Sequence, residues 1–171
     1  MALVLSKFGD SLGAVRATLD DPDSFWRLEC WMAYSGALVH RHPATVGLAD
    51  WLGPVLKLHL VTAEDLFLFW TRDVGAEEVP RSHWSGLVAY GQLHGKISHG
   101  NPSDQQHAAH ALTWDAFVTA DRHFVSALET ARRYYPRPVA KILYWDRTVG
   151  TALQRLANVL RLGEWRHITR A

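Results

Sequence analysis

The chain has 171 residues, with 18 Lys and Arg balanced by 17 Asp and Glu; it is long enough to bury one sizeable core and too evenly charged to seek a polyanion or a membrane surface through net charge alone. Its 48% hydrophobic content and eight Trp exclude an intrinsically disordered chain, and its single cysteine, Cys30, excludes an internal disulfide and a thiolate metal cluster. No run reaches the ~18 apolar residues of a membrane span, and the opening MALVLSKFGD lacks the basic leader and long apolar core of a signal peptide, so a cytoplasmic protein with no membrane partner is expected.

Residues 1–19 carry Leu3, Leu5, Phe8, Leu12, Val15 and Leu19 at near-helical spacing, which predicts a helix or a mixed segment. Asp20-Asp21-Pro22-Asp23-Ser24 is turn and helix-start chemistry. It leads into a helix over 25–39 whose apolar residues occupy more than one face, a sign of burial. His40-Arg41-His42-Pro43 ends that helix, and a shorter one over 44–52 stops at Gly53-Pro54. VLKLHLV at 55–61 alternates apolar and polar residues and predicts a strand. Thr62 is placed to cap a very aromatic helix over 63–73, with Glu64 and Asp65 at its positive end. After a loop over 75–80, a helix over 81–94 contains Gly86 and Gly91, which suit close packing, and residues 95–102 form a connector.

Residues 104–112 suit a second helix start at Asp104, with Ala108, Ala109 and Ala111 permitting close approach. Ala116-Phe117-Val118-Thr119 predicts a short buried strand, and Ala120-Asp121-Arg122 turns the chain into a helix from His123 to Tyr134. Beyond Pro136 and Pro138, residues 139–145 predict a second buried strand. A last helix over 148–161 has Leu153, Leu156, Ala157 and Leu160 on one face. There is no internal repeat, low-complexity tract or domain boundary, so the expectation is one α/β domain over 1–171. It has three layers, a small parallel sheet and a helix-rich N-terminal half that is helical over 1–54.

Asp121 stands just past the carboxyl end of a strand, where open α/β sheets place their ligands. Asp104 opens the preceding helix, so the two carboxylates can converge on one crevice. Their mutual repulsion is relieved if a hard cation such as Mg2+ or Mn2+ lies between them. Asp104 followed by HAAHA, then WDAFVTADRHF at 114–124, resembles the C-terminal half of a PIN domain. The resemblance covers residues 100–144. It implies a metal-dependent ribonuclease using Mg2+ or Mn2+, in a family that includes the toxin halves of toxin–antitoxin pairs. On that resemblance Asp104 and Asp121 are the third and fourth family acids, both catalytic and metal-holding. The family's first acid ends an opening strand, and this sequence shows no such strand: the first acid is Asp10, past Gly9. The second acid lies on an early helix; Glu29 in WRLECW is the first candidate and Glu64 the second. Glu29 can equally be a salt-bridged residue of an apolar helix, and Glu64 a charge at a helix N-terminus. Asp115 is either a further ligand or a turn residue.

In this reading Thr119 orients a carboxylate or the water, and Arg122 binds the scissile phosphate. After Asp121 ten basic residues, from Arg122 to Arg170, face only Glu129, Asp146 and Glu164, which suits a polyanion such as RNA or simply a solvated basic face. His107 and His110 share a helix side, but no His-rich metal motif accompanies them. The aromatic residues Trp26, Trp31, Phe67, Phe69 and Trp70 are expected in the core. Two functions stay open beside a plain α/β domain with an ordinary strand-turn Asp. One is a metal-dependent endoribonuclease with an antitoxin partner or a homodimer. The other is a catalytically degenerate PIN-like module that binds RNA or a protein.

Overall fold

The computed structural model describes residues 20–40, 46–93, 101–146, 148 and 150–162. The expected helix over 1–19, with Asp10, lies outside the described residues, as do residues 41–45, most of the connector over 95–102, and Arg147, Arg166 and Arg170. The chain divides into two compact units, Met1–Gly86 and Leu87–Ala171.

In the first unit, α1 spans Pro22–Leu38. It starts where the sequence supplies a cap and a rigid first residue: the Asp21 carboxylate accepts the Ser24 N–H at 2.8 Å, and Pro22 has no N–H to satisfy. Its inner face divides between two apolar clusters. Trp26 and Cys30 pack with Trp70 and Val74. Ala37 and Leu38 pack with Ala49 of α2 (Val46–Leu52) and with Leu58. Helix α3 spans Ala63–Leu68, opened by a reciprocal cap in which Thr62 accepts the Asp65 N–H and Asp65 accepts the Thr62 N–H. It runs on into a single wide π turn, Phe69–Asp73. Such a turn leaves carbonyls badly placed for their usual partners, and Arg27 compensates, donating to the carbonyls of Trp70 at 2.9 Å and Val74 at 2.8 Å. Of the aromatic residues expected in the core, Trp26 and Trp70 are buried and Trp31 and Phe67 half-buried, whereas Phe69 is exposed.

The strand expected over 55–61 does not form. The chain turns at Gly53-Pro54 and makes one 3-10 turn, Leu58–Leu60. The Val55 and Leu56 N–H groups both donate to the Leu52 carbonyl, and Leu60 N–H donates to Lys57. Backbone groups satisfied this locally need no ladder partner. Only Leu58 is buried; Val55, Leu56 and Leu60 point outward, so the alternating pattern had no second layer to cover it.

Helix α4, Pro80–Leu93, runs across the boundary between the units. Its glycines are sites of close approach, as expected. A Cβ on Gly86 would collide with Trp26, and one on Gly91 would stand 2.6 Å from the Ala127 carbonyl oxygen and 2.9 Å from its Cα.

The second unit carries α5 (Asn101–Ala108), a 3-10 turn at Ala109–Leu112, β1 (Ala116–Thr119), α6 (Arg122–Tyr134), β2 (Lys141–Tyr144) and α7 (Ala152–Leu162). β1 and β2 pair in parallel, Ala116 opposite Lys141 through Thr119 opposite Tyr144. A parallel pair needs a crossover, and α6 supplies it, packing on both strands. The apolar face of α6 explains that packing: Phe124, Ala127, Leu128 and Ala131 recur at helical spacing and are all buried. Among the described residues the fold is therefore helix-rich α/β with a two-stranded parallel sheet, and no helix is long and apolar enough to cross a membrane.

Gly91→Ala is expected to destabilise the protein by about 1–3 kcal/mol, because the new methyl meets backbone rather than a movable side chain. Gly36→Ala in α1, with nothing within 4 Å of the new Cβ, should instead stabilise by up to about 1 kcal/mol. Urea unfolding of the two variants checks the contrast; equal effects would contradict the packing described.

Candidate functional site

The turn after β1 is built from its own sequence. The Thr119 hydroxyl accepts the Asp121 N–H at 3.2 Å, which folds Thr119-Ala120-Asp121 tightly off the strand end. Asp121 then caps α6: its Oδ1 accepts the N–H groups of His123 at 2.8 Å and Phe124 at 3.1 Å. Both cap bonds fall on one carboxylate oxygen, and the exposed side chain stands at the positive end of α6.

Asp104 lies in the first turn of α5 and is half-buried. Burial first, then the negative charge of Asp121, push its carboxyl above the ordinary 3.8, while nearby His107 opposes the shift. The charge of Asp121 thus acts on Asp104. His107 lies one turn on from Asp104, and its ring stands 6.4 Å from that of His110. The sign of the linkage is clear. A carboxyl whose folded value is raised destabilises the fold when ionised, and that cost fades as pH falls through the folded value towards 3.8.

Arg122 begins α6 and reaches across to the second strand. Its guanidinium sits 5.0 Å from the centre of the Tyr144 ring and 3.5 Å from Asp146 Oδ2. Asp146 Oδ1 in turn accepts the Thr148 N–H at 2.9 Å and the Thr148 hydroxyl at 2.7 Å. Those bonds and the Arg122 charge hold the Asp146 carboxyl below its ordinary value. Sequence reasoning passed over Asp146. The signal was present: it follows the second strand in Tyr144-Trp145-Asp146 just as Asp121 follows the first in Thr119-Ala120-Asp121, and Thr119 pairs with Tyr144.

The other candidates lie on other elements. Glu29 belongs to the first unit, on α1, with Oε2 3.4 Å from where a Cβ on Gly86 would be. Its charge acts on Cys30, whose thiol is pushed up to about 12, chiefly by burial, and is therefore inert as a nucleophile. Glu64 is exposed in the first turn of α3, as its charge at a helix start predicts. Asp115 lies at the amino end of β1, where its carbonyl accepts the Lys141 N–H at 2.9 Å. The four-residue strand between it and the Asp121 turn spans roughly 13 Å, too far for one ion to be shared. Among the described residues, no three His, Cys, Asp or Glu are grouped so as to hold a metal ion. Of the basic residues after Asp121, Arg132, Arg133, Arg137, Lys141 and Arg161 are exposed along with Arg122. No protein-family model, curated protein or solved structure matches the chain.

Asn caps helices about as well as Asp. Asp121→Asn should therefore leave stability within about 0.5 kcal/mol of wild type, while Asp121→Ala should cost about 1 kcal/mol in chemical denaturation by losing the cap. If the two carboxylates face each other, Asp121→Asn must also lower the titration midpoint of Asp104, read by carboxyl 13C NMR; an unmoved midpoint would show them apart. Asp104→Asn should raise thermal stability at neutral pH, by less than about 1 kcal/mol given solvent screening, with the gain shrinking to nothing as pH falls towards 3.8.

Proposed function

We propose that this chain is a metal-dependent ribonuclease of PIN type. It hydrolyses RNA phosphodiester bonds at the carboxyl edge of β1 and β2, in the manner of a toxin held in check by an antitoxin. The observation that carries the reading is the placement of the two acids: Asp104 is half-buried in the first turn of α5, Asp121 stands at the exit of β1, and burial together with the charge of Asp121 holds the Asp104 carboxyl above its ordinary value. A hard divalent ion between them would turn that repulsion into attraction. The donor set fits Mg2+ or Mn2+. Mg2+ is commonly held by one or two carboxylates, with water and substrate phosphate filling the remaining positions.

The residues divide the work as follows. Asp104 and Asp121 would hold the ion, Asp121 with its orientation fixed by the two amides it caps. The Thr119 hydroxyl accepts the Asp121 N–H and so fixes the turn that carries Asp121. Arg122, exposed and always charged, binds the phosphate. A divalent ion bound there makes water a better nucleophile at neutral pH and offsets negative charge on the phosphate in the transition state. No nucleophilic side chain is required, in keeping with the inert Cys30.

One observation favours a second reading, a module that binds RNA or a protein partner without cutting it. Among the described residues no third carboxylate joins the pair, and metal affinity grows with the number of oxygen ligands.

Titration with MnCl2 while following thermal unfolding separates the two. The nuclease reading expects stabilisation of about 2.7 kcal/mol at a hundredfold excess over Kd, lost in Asp104→Asn and in Asp121→Asn. It also expects Mn2+-dependent cleavage of single-stranded RNA that falls to background in both variants. Cleavage that survives either substitution would overturn the assignment, and RNA binding with neither metal response nor cleavage would establish the second reading.

A further inference from the structure

The parallel register places two turns side by side. Thr119 and Tyr144 face each other, the Trp145 N–H donates to the Thr119 carbonyl at 2.7 Å, and an acid follows each paired residue at the same offset, Asp121 and Asp146. Neighbouring strands stand about 4.8 Å apart, so the two acids leave the sheet on adjacent tracks. They are nonetheless used differently. Asp121 turns its bonds inward to cap α6, whereas Asp146 spends Oδ1 on Thr148 and presents Oδ2 to Arg122.

We infer that Asp146 is a positioning residue: it holds the Arg122 guanidinium across the carboxyl edge of the sheet, where it meets the phosphate of an RNA strand. The inference rests on the ribonuclease reading for the identity of the ligand. The positioning itself rests on three contacts. Thr148 anchors Asp146 through both its N–H and its hydroxyl, which makes this carboxylate a fixed post rather than a mobile surface acid. Oδ2 meets the guanidinium Nη2 at 3.5 Å. The Tyr144 ring lies beneath the guanidinium at 5.0 Å, the stacking geometry that Arg favours over Lys. A long side chain that starts on the Asp121 turn is thereby drawn over to the neighbouring one and kept from roaming. It remains open to a ligand: the Arg122 side chain is 73% exposed, and most of its five N–H donors are left for phosphate oxygens. An exposed pair at this separation adds little to stability, so its consequence lies in the direction it imposes on Arg122.

Asp146→Asn is the informative variant, because the amide oxygen can still accept from Thr148 while the charge that draws Arg122 is gone. The Nε–Hε signal of Arg122 is followed by NMR in wild type, Asp146→Asn and Asp146→Glu, before and after addition of a single-stranded oligoribonucleotide in EDTA. The inference expects a well-dispersed, slowly exchanging Hε in wild type that shifts on adding RNA, an averaged one in Asp146→Asn, and recovery in Asp146→Glu, with the melting temperature unchanged throughout. In Mn2+-supported cleavage, Asp146→Asn should lower kcat about fivefold, the equivalent of one exposed ion pair, with KM unchanged or lower because an acid has been removed from an anion's path. It should have no further effect in an Arg122→Gln background. An Arg122 signal indifferent to Asp146 or to RNA, or additive effects of the two substitutions, would overturn the inference. Wild-type protein that shows the Arg122 responses yet never cleaves RNA would overturn the ribonuclease reading alone and leave the positioning of Arg122 standing.

Discussion

The parallel pairing of β1 with β2 decides where every polar group at the carboxyl edge can stand. Two four-residue strands in register bring their exits to the same level, and α6 can cross between them only by starting at the end of the first. That start needs a cap, so an acid at the first exit is structurally useful before it is chemically useful. The same pairing puts Tyr144 beside Thr119, and with it Asp146 beside the Asp121 turn. A slip of one residue would reverse which side chains face α6 and would carry Asp146 out of reach of Arg122. The site is thus a consequence of register rather than of any one motif.

Against that ordered edge stands a local cost. Asp104 is half-buried and feels Asp121 as a like charge, with only His107 in opposition. Helix capping does not require the charge at 121, since α6 would be capped equally well by Asn there, and Asp104 meets the positive end of α5 while its carboxyl is still held above its ordinary value. An acid with a raised value beside a second acid is a candidate for function. The proposed divalent ion would resolve the conflict, and Asp146 with Arg122 adds an oppositely signed pair beside the Asp121 turn.

Much of this was legible in the residues. Asp21 before Pro22, Thr62 three before Asp65, and Thr119-Ala120-Asp121 after an apolar run each announce a cap or a turn by local chemistry alone, and each is found. β1 and β2 were visible as short β-prone runs separated by a helix, which is why the parallel α/β character could be read. The failures share one cause: they depend on partners that a linear pattern does not name. VLKLHLV at 55–61 alternates like a strand, but among the described residues no strand lies beside it, and the chain closes its hydrogen bonds locally. Asp115 is adjacent to β1 in sequence yet at its wrong end. Asp146 was overlooked because its importance comes from facing Thr119 across the ladder, a relation that appears only once the register is known.

The account stands on a single cation bridging Asp104 and Asp121, and diffraction from crystals grown with MnCl2, collected to exploit the anomalous scattering of manganese, addresses that most directly. The account predicts an anomalous peak in direct coordination of both carboxylates, next to the start of α6, that disappears in crystals of Asp104→Asn. Crystals saturated with Mn2+ that show no peak there, with the two carboxylates turned to separate regions of solvent, would contradict it.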